Sequence, residues 1–217
     1  MQKPALLLSM YQTMLDTMGP SNWWPGETPF EVAVGAILTQ NTSWKNVEKA
    51  IFNLKAARLL EPSRLFLLSQ DEIASYIRPA GYYRVKALRL KNFLYFLNQE
   101  CGLNFSSLAG MDSARLREKL LAIKGIGPET ADSIMLYGLN KTTFVVDAYT
   151  RRIFNRHSLV HEDVDYHELK DMFESCLPGD AALYGEYHAL LVRAGKQWCR
   201  KKNPLCLQCP LNRYLDS

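Results

Sequence analysis

Asp147, the glycine-flanked turn Gly125-Ile126-Gly127 and three clustered cysteines carry the groups from which a reaction can be argued. Asp147 closes the short apolar run Phe144-Val145-Val146 and precedes a helical pattern. An aspartate in that place caps a helix, and the helix N–H groups that it accepts from favour its ionised form. An ionised carboxylate beside the C1′ of a sugar can stabilise an oxocarbenium-like cation and orient a water. N-glycosidic bond cleavage requires both, by analogy with O-glycosidases. Capping and catalysis are compatible roles for one carboxylate.

The turn Ile123-Lys124-Gly125-Ile126-Gly127-Pro128 lies between two helical patterns. Its glycines permit positive φ and close backbone approach. Pro128 fits the first position of a second helix, whose free N–H groups then face an anion. Ile126 points into the core and holds the two helices together. Such a helix-hairpin-helix grips a DNA backbone without reading bases, and Lys124 adds a phosphate contact. The plainer reading is an ordinary αα-turn with an exposed lysine.

Five cysteines are an odd number, and three crowd together as Cys199-x6-Cys206-x2-Cys209. In a reducing compartment that spacing suggests a metal rather than disulfides. Cys101 and Cys176 have no such spacing and read as buried thiols. Arg200, Lys201 and Lys202 lie between the first two clustered cysteines, where a folded loop presents them to phosphates.

The elements that position these groups read as helices almost throughout. Thr28-Pro29-Phe30-Glu31 and Ser69-Gln70-Asp71-Glu72 are capping boxes. The long segment from Tyr82 to about Gln99 is expected to turn Val85, Leu88 and Phe96 inward and to carry Arg84, Lys86, Arg89 and Lys91. Asp112 or Ser113 caps the helix before the turn, and Asp180 the one at 181–196. Further helices are expected near 148–156 and 167–176. Phe144-Val145-Val146 is strand-like but too short to build a sheet. The fold class is all-α. Apolar residues at 47%, charged residues at 22% and a net charge of +4 describe an ordinary globular chain that permits a nucleic-acid partner without demanding one. No apolar run approaches the roughly 20 residues that span a bilayer, so a membrane partner is not expected. A cytoplasmic, nucleoid-associated protein is expected, or a nuclear one in a eukaryote.

Lys124 to Ala131, K-G-I-G-P-E-T-A, followed by V-V-D-A-Y-T-R-R from Val145, resembles the endonuclease III superfamily of DNA glycosylases. These are helix-hairpin-helix proteins with a Gly/Pro-rich loop and a catalytic aspartate. The likeness extends from about residue 22 to 209. It implies a six-helix lobe, 22–130, ending in the hairpin. A second lobe is then made of 1–21 with 131–217, with the substrate groove between the lobes and Asp147 at its mouth. Ala36-Ile37-Leu38-Thr39-Gln40-Asn41-Thr42 looks like the segment whose glutamine fills the gap left by a flipped nucleotide. Ile77 to Ala87 looks like the second DNA-facing loop, with Gly81 and Lys86 toward DNA. Gly125, Gly127 and Thr130 are the matching hairpin contacts. A monovalent cation at the hairpin carbonyls of Leu121, Ile123 and Ile126 is implied in the same way.

Strand-cutting members carry a lysine two residues after the Gly-x-Gly; here that residue is Glu129. A lysine amine can form a Schiff base at C1′ and a carboxylate cannot, so a monofunctional enzyme that leaves an abasic site is expected. W-W-P, L-T-Q-N-T and G-x-E-T-A-D together look like the 3-methyladenine branch. Trp23, Trp24, Trp44 and Glu129 are then the base pocket, where aromatic rings gain cation–π attraction for an alkylated purine. Mismatched or oxidised bases are the alternative substrates. A non-catalytic DNA-binding or iron–sulfur redox-sensing protein is the alternative class. The expected partner is double-stranded DNA bearing a damaged base, met by a monomer.

The cysteines match three of four ligands of the family's 4Fe–4S cluster. Leu215 occupies the fourth position, which leaves one iron to water, to Asp216 or to an unusual partner. A 3Fe–4S form, zinc or three plain thiols stay open as alternatives.

Overall fold

The computed structural model describes residues 2–215; Met1, Asp216 and Ser217, and with them one candidate ligand, lie outside the described residues. Every regular element among the described residues is helical, and Phe144-Val145-Val146 is buried extended chain. Two compact units result, one of residues 24–141 and the other of 1–23 with 142–217.

The 24–141 unit is built round α2, Pro29–Thr39. Its residues Phe30 to Leu38 are all buried, as expected of a helix apolar on every side. Thr28 accepts from the Glu31 N–H, while the Glu31 carboxylate takes the Glu27 N–H and pairs with Lys55 rather than closing the capping box. Around it pack α3 (Trp44–Ala56) and α6 (Tyr83–Cys101). The short α4 (Pro62–Leu67) and α5 (Gln70–Tyr76) lie against α6. The Ser69–Glu72 capping box is complete at the head of α5. The hairpin helices are α7 (Ser113–Leu121), capped by Asp112, and α8 (Pro128–Ser133), which runs on into a π-turn at Ile134–Gly138. Ala131, Ile134, Met135 and Leu139 join this unit's apolar cluster, so the chain from 131 to 141 belongs here and not to the second lobe.

The inward face of α6 departs from its apolar pattern. Lys86, Ala87, Leu90, Phe93, Leu94 and Leu97 are buried, Phe96 is half-buried, and Val85 and Leu88 are exposed. The reason is Lys86, whose Nζ donates to the carbonyls of Leu38 and Ala80 at 2.8 Å each. A buried ammonium that serves the last carbonyls of two helical turns is tolerated where an unpaired one is not. Lys86 therefore holds backbone together and is not presented to a phosphate.

In the other unit, α1 (Lys3–Met18) lays Leu6, Leu7, Met10 and Met14 against α10 (Tyr166–Cys176) and α11 (Ala181–Gln197). Phe144 stacks on Phe173 with ring centroids 3.9 Å apart, and Tyr187 donates to the Leu7 carbonyl at 2.8 Å. Arg193 caps the end of α1 through the carbonyls of Met18 and Gly19. Helix α9 (Ala148–Arg156) lies close against α11, because a side chain at Gly195 would stand 2.5 Å from the Tyr149 ring. Cys101 and Cys176 are half-buried.

Burial, reinforced by Arg89, lowers the Lys86 ammonium to about 8 from the ordinary 10.5. Between those values the unfolded chain holds a proton that the folded chain has released, so this group adds stability as pH rises. Urea titrations should show wild type gaining on Lys86→Met from about pH 8 to 10.5; parallel curves would exclude it.

Candidate active site

Asp147 is the N-cap of α9. Its Oδ1 accepts from Thr150 N at 2.7 Å and from Thr150 Oγ1 at 2.9 Å. Its Oδ2 lies 3.8 Å from His188 Nε2 on α11, with the Asp147 side chain only 9% exposed. Burial pushes this carboxyl up, but His188 and the two Thr150 hydrogen bonds outweigh it and leave the group below the ordinary carboxylate range. It is an anion held in a dry place and aimed by a helix terminus, the electrostatic requirement for meeting a developing cation.

In the hairpin, Ile123 and Ile126 are buried, and Ile126 N donates to the Ile123 carbonyl at 3.0 Å. Lys124, Gly125, Gly127 and Glu129 are exposed. Arg117 on α7 grips the fully buried Asp132 on α8 through two hydrogen bonds of 2.8 and 3.1 Å, which fixes the angle between the helices. The turn's own carbonyls are occupied from behind. Asn92 donates to Lys124 O at 3.0 Å, and Gln40 donates to Gly125 O at 3.2 Å. Gly125 has φ +99°, and an ideal Cβ there would meet the Arg89 side chain at 2.4 Å.

Gln40 follows α2 and is half-buried, with Asn41 exposed beside it in the left-handed region. Besides Gly125, its amide donates to Thr130 Oγ1 at 2.8 Å, and Arg89 donates to its Oε1. The Thr130 side chain is thus buried against Gln40. Gly81, with φ +67°, ends the short turn Arg78–Ala80 ahead of the exposed Tyr82.

Trp24 and Trp44 meet edge to face at 5.3 Å, and Tyr137 approaches Trp24 at the same distance. Trp23 is the last residue of the segment that belongs to the other unit.

Cys199, Cys206 and Cys209 line one partly open pocket with Arg156, His157, Trp198 and Leu215. Burial first, and then the neighbouring sulfurs of Cys199 and Cys206, raise the Cys209 thiol. Arg156 donates to Cys199 Sγ at 3.0 Å. Among the described residues no three such side chains yet converge on one point. The donor set nevertheless suits a soft metal centre. It holds three thiols and a buried imidazole, whose Nδ1 has no hydrogen-bond partner. Arg200, Lys201 and Lys202 are exposed on the loop.

The pattern of the HhH-GPD superfamily of base excision DNA repair proteins matches residues 34–178. The chain belongs to this superfamily. A protein of Methanocaldococcus jannaschii provisionally named a DNA repair glycosylase is 49% identical over 211 residues, 96% of this chain and 95% of its own. Endonuclease III of Thermotoga maritima is 29% identical, over 87% of this chain and 83% of its own. Among solved structures, the H. pylori 3-methyladenine DNA glycosylase bound to 1,N6-ethenoadenine has a TM-score of 0.78 at 30% identity, over 91% of this chain and 98% of that one. An endonuclease III trapped covalently on DNA has a TM-score of 0.82 at 19% identity, over 99% and 96%, a likeness of fold.

For an HhH-GPD glycosylase, then, Asp147 and the hairpin were readable from local spacing, whereas His188 was not. A single histidine on an apolar helix face reads as core, and nothing near it in sequence names its partner. Arg156 and His157 lie more than forty residues from Cys199, and no spacing links them to it.

Two outcomes follow. Thr150→Val removes one of the hydrogen bonds that favour the charged carboxylate. The acid limb of the kcat/KM profile for base release should move to higher pH, and an unmoved limb would disconnect Thr150 from Asp147. Gly125→Ala forces a left-handed backbone and a clash with Arg89, costing on the order of 1–3 kcal/mol in a denaturant titration.

Proposed function

We propose that this HhH-GPD glycosylase is monofunctional and hydrolyses the N-glycosidic bond of an N-alkylated purine, such as 3-methyladenine, in double-stranded DNA, acting as a monomer. The observation that carries the reading is an Asp147 carboxylate capped by Thr150 and faced by His188, with its side chain 9% exposed, in a chain whose hairpin helix has Glu129 where a Schiff-base lysine would stand. The 30% identity to the H. pylori enzyme across nearly its whole length supports the substrate class.

The C1′–N bond breaks with its electron pair leaving on the base, which an alkylated purine accepts because it starts with a positive charge. Asp147 stabilises the sugar cation and orients a water. The water's oxygen bonds to C1′, and its proton passes through the carboxylate to solvent. Trp24 and Trp44 offer aromatic faces and edges to an electron-poor base. Gln40 fills the gap in the duplex, while Lys124, Gly125, Gly127 and Gly81 hold the backbone. Cys199, Cys206 and Cys209 would hold a 4Fe–4S cluster, whose role in a hydrolysis would be structural, on the loop that carries the exposed Arg200, Lys201 and Lys202.

Base release should be measured on duplexes carrying alkylated, oxidised or mismatched bases. Release is expected from the alkylated set, and Asp147→Asn should lower it by about 100-fold or more. Unchanged release in that variant would end the catalytic assignment. Borohydride should trap no covalent adduct with abasic DNA; an adduct would end the monofunctional one.

A further inference from the structure

The cysteine loop supplies three thiolates, and iron–sulfur clusters of the four-iron type take four ligands. Leu215, at the position of the missing thiol, lines the same cavity with an apolar side chain and cannot ligate. His157 lines it too. This residue follows α9 directly and its amide donates to Ile153 O at 3.1 Å, so the helix end fixes where the ring begins. The side chain sits in a residue only 4% exposed, and its Nδ1 is a buried nitrogen with no hydrogen-bond partner. Buried polar atoms in folded proteins are nearly always satisfied, so an orphan of this kind calls for a partner. The ring also hydrogen-bonds the backbone of Tyr214. A metal-bound histidine characteristically gives its second nitrogen to such a carbonyl, which fixes the tautomer and turns the other lone pair to the metal. Tyr214 is itself anchored, through hydrogen bonds of its hydroxyl with Ser9 and Thr13 on α1.

We infer that His157 Nδ1 is the fourth ligand, completing a Cys199, Cys206, Cys209 and His157 set for the iron–sulfur cluster. The inference rests on the reading that this loop holds a cluster. An imidazole is neutral where a thiolate is charged, so the assembled centre carries one negative charge fewer than a four-cysteine cluster. Replacing thiolate by histidine raises reduction potential. Arg156, already bonded to Cys199 Sγ, adds a donor to a ligating sulfur and acts in the same direction.

The test is pulsed EPR on anaerobically purified, chemically reduced wild-type protein, with iron and sulfide assayed on the same sample. A strong nitrogen hyperfine coupling that changes on labelling histidine with 15N is expected. In His157→Cys the coupling should vanish, the iron content should hold and the midpoint potential should fall. In His157→Ala one iron per protein should be lost. A wild-type cluster without nitrogen coupling would overturn the assignment. Zinc in place of iron, no bound metal, or His157→Ala with unchanged iron and spectrum would do the same. Base release from alkylated DNA, run on the same preparations, reports separately on the glycosylase reading.

Discussion

Keeping a carboxylate charged where water is scarce is the condition to which much of the smaller details of this protein answer. Removing such a group from water costs several kcal/mol, and attraction offsets that cost only with good geometry. Asp147 meets the condition through two hydrogen bonds to one oxygen, His188 beside the other and the N-terminus of α9 beneath both. Those contacts require α9 and α11 to lie nearly in touch, which is why glycine stands at 195 under the Tyr149 ring. The same helix sends Arg152 to the carbonyls of Gly195 and Cys199, so the cysteine loop is hung from the element that aims the carboxylate.

The hairpin solves a different problem, that of leaving backbone donors exposed without leaving backbone acceptors unsatisfied. Asn92 and Gln40 take up turn carbonyls from the protein side, and the exposed face keeps Lys124, Gly125 and Gly127. The Arg117–Asp132 pair stiffens the support where a loose pair of helices would let the turn rock. Gln40 is meanwhile engaged by Thr130, Gly125 and Arg89, so a glutamine that enters DNA must first exchange these partners.

What was legible in the sequence was local. Caps at Thr28, Ser69, Asp112, Asp147 and Asp180 act within a few residues, and the glycine and proline of the hairpin demand their conformations by themselves. Helix α6 was misread because a lysine with two buried carbonyl partners belongs to the core, whereas hydrophobic periodicity counts it as surface. Periodicity alone turns Val85 and Leu88 inward, and the likeness of Ile77 to Ala87 to a DNA-facing loop puts Lys86 toward DNA; both are exchanged in the fold. His188 and His157 depend on residues distant along the chain, and no spacing rule reaches that far. The family likeness ends the first lobe at the hairpin, near 130, whereas the apolar residues after α8 return to the same core.

The way the chain is divided also orders its assembly. Residues 24–141 are continuous, so their core can close while later residues are still being synthesised. Helix α1 is made before them, yet its apolar stripe of Leu6, Leu7, Met10 and Met14 is covered by α10 and α11, which are made last. Until α10 and α11 are made, that stripe has none of its folded-state cover, the exposure from which nascent chains aggregate. The carboxylate and the thiol loop lie after residue 141, so a ribosome-bound fragment can hold a finished hairpin before the reacting carboxylate has been made.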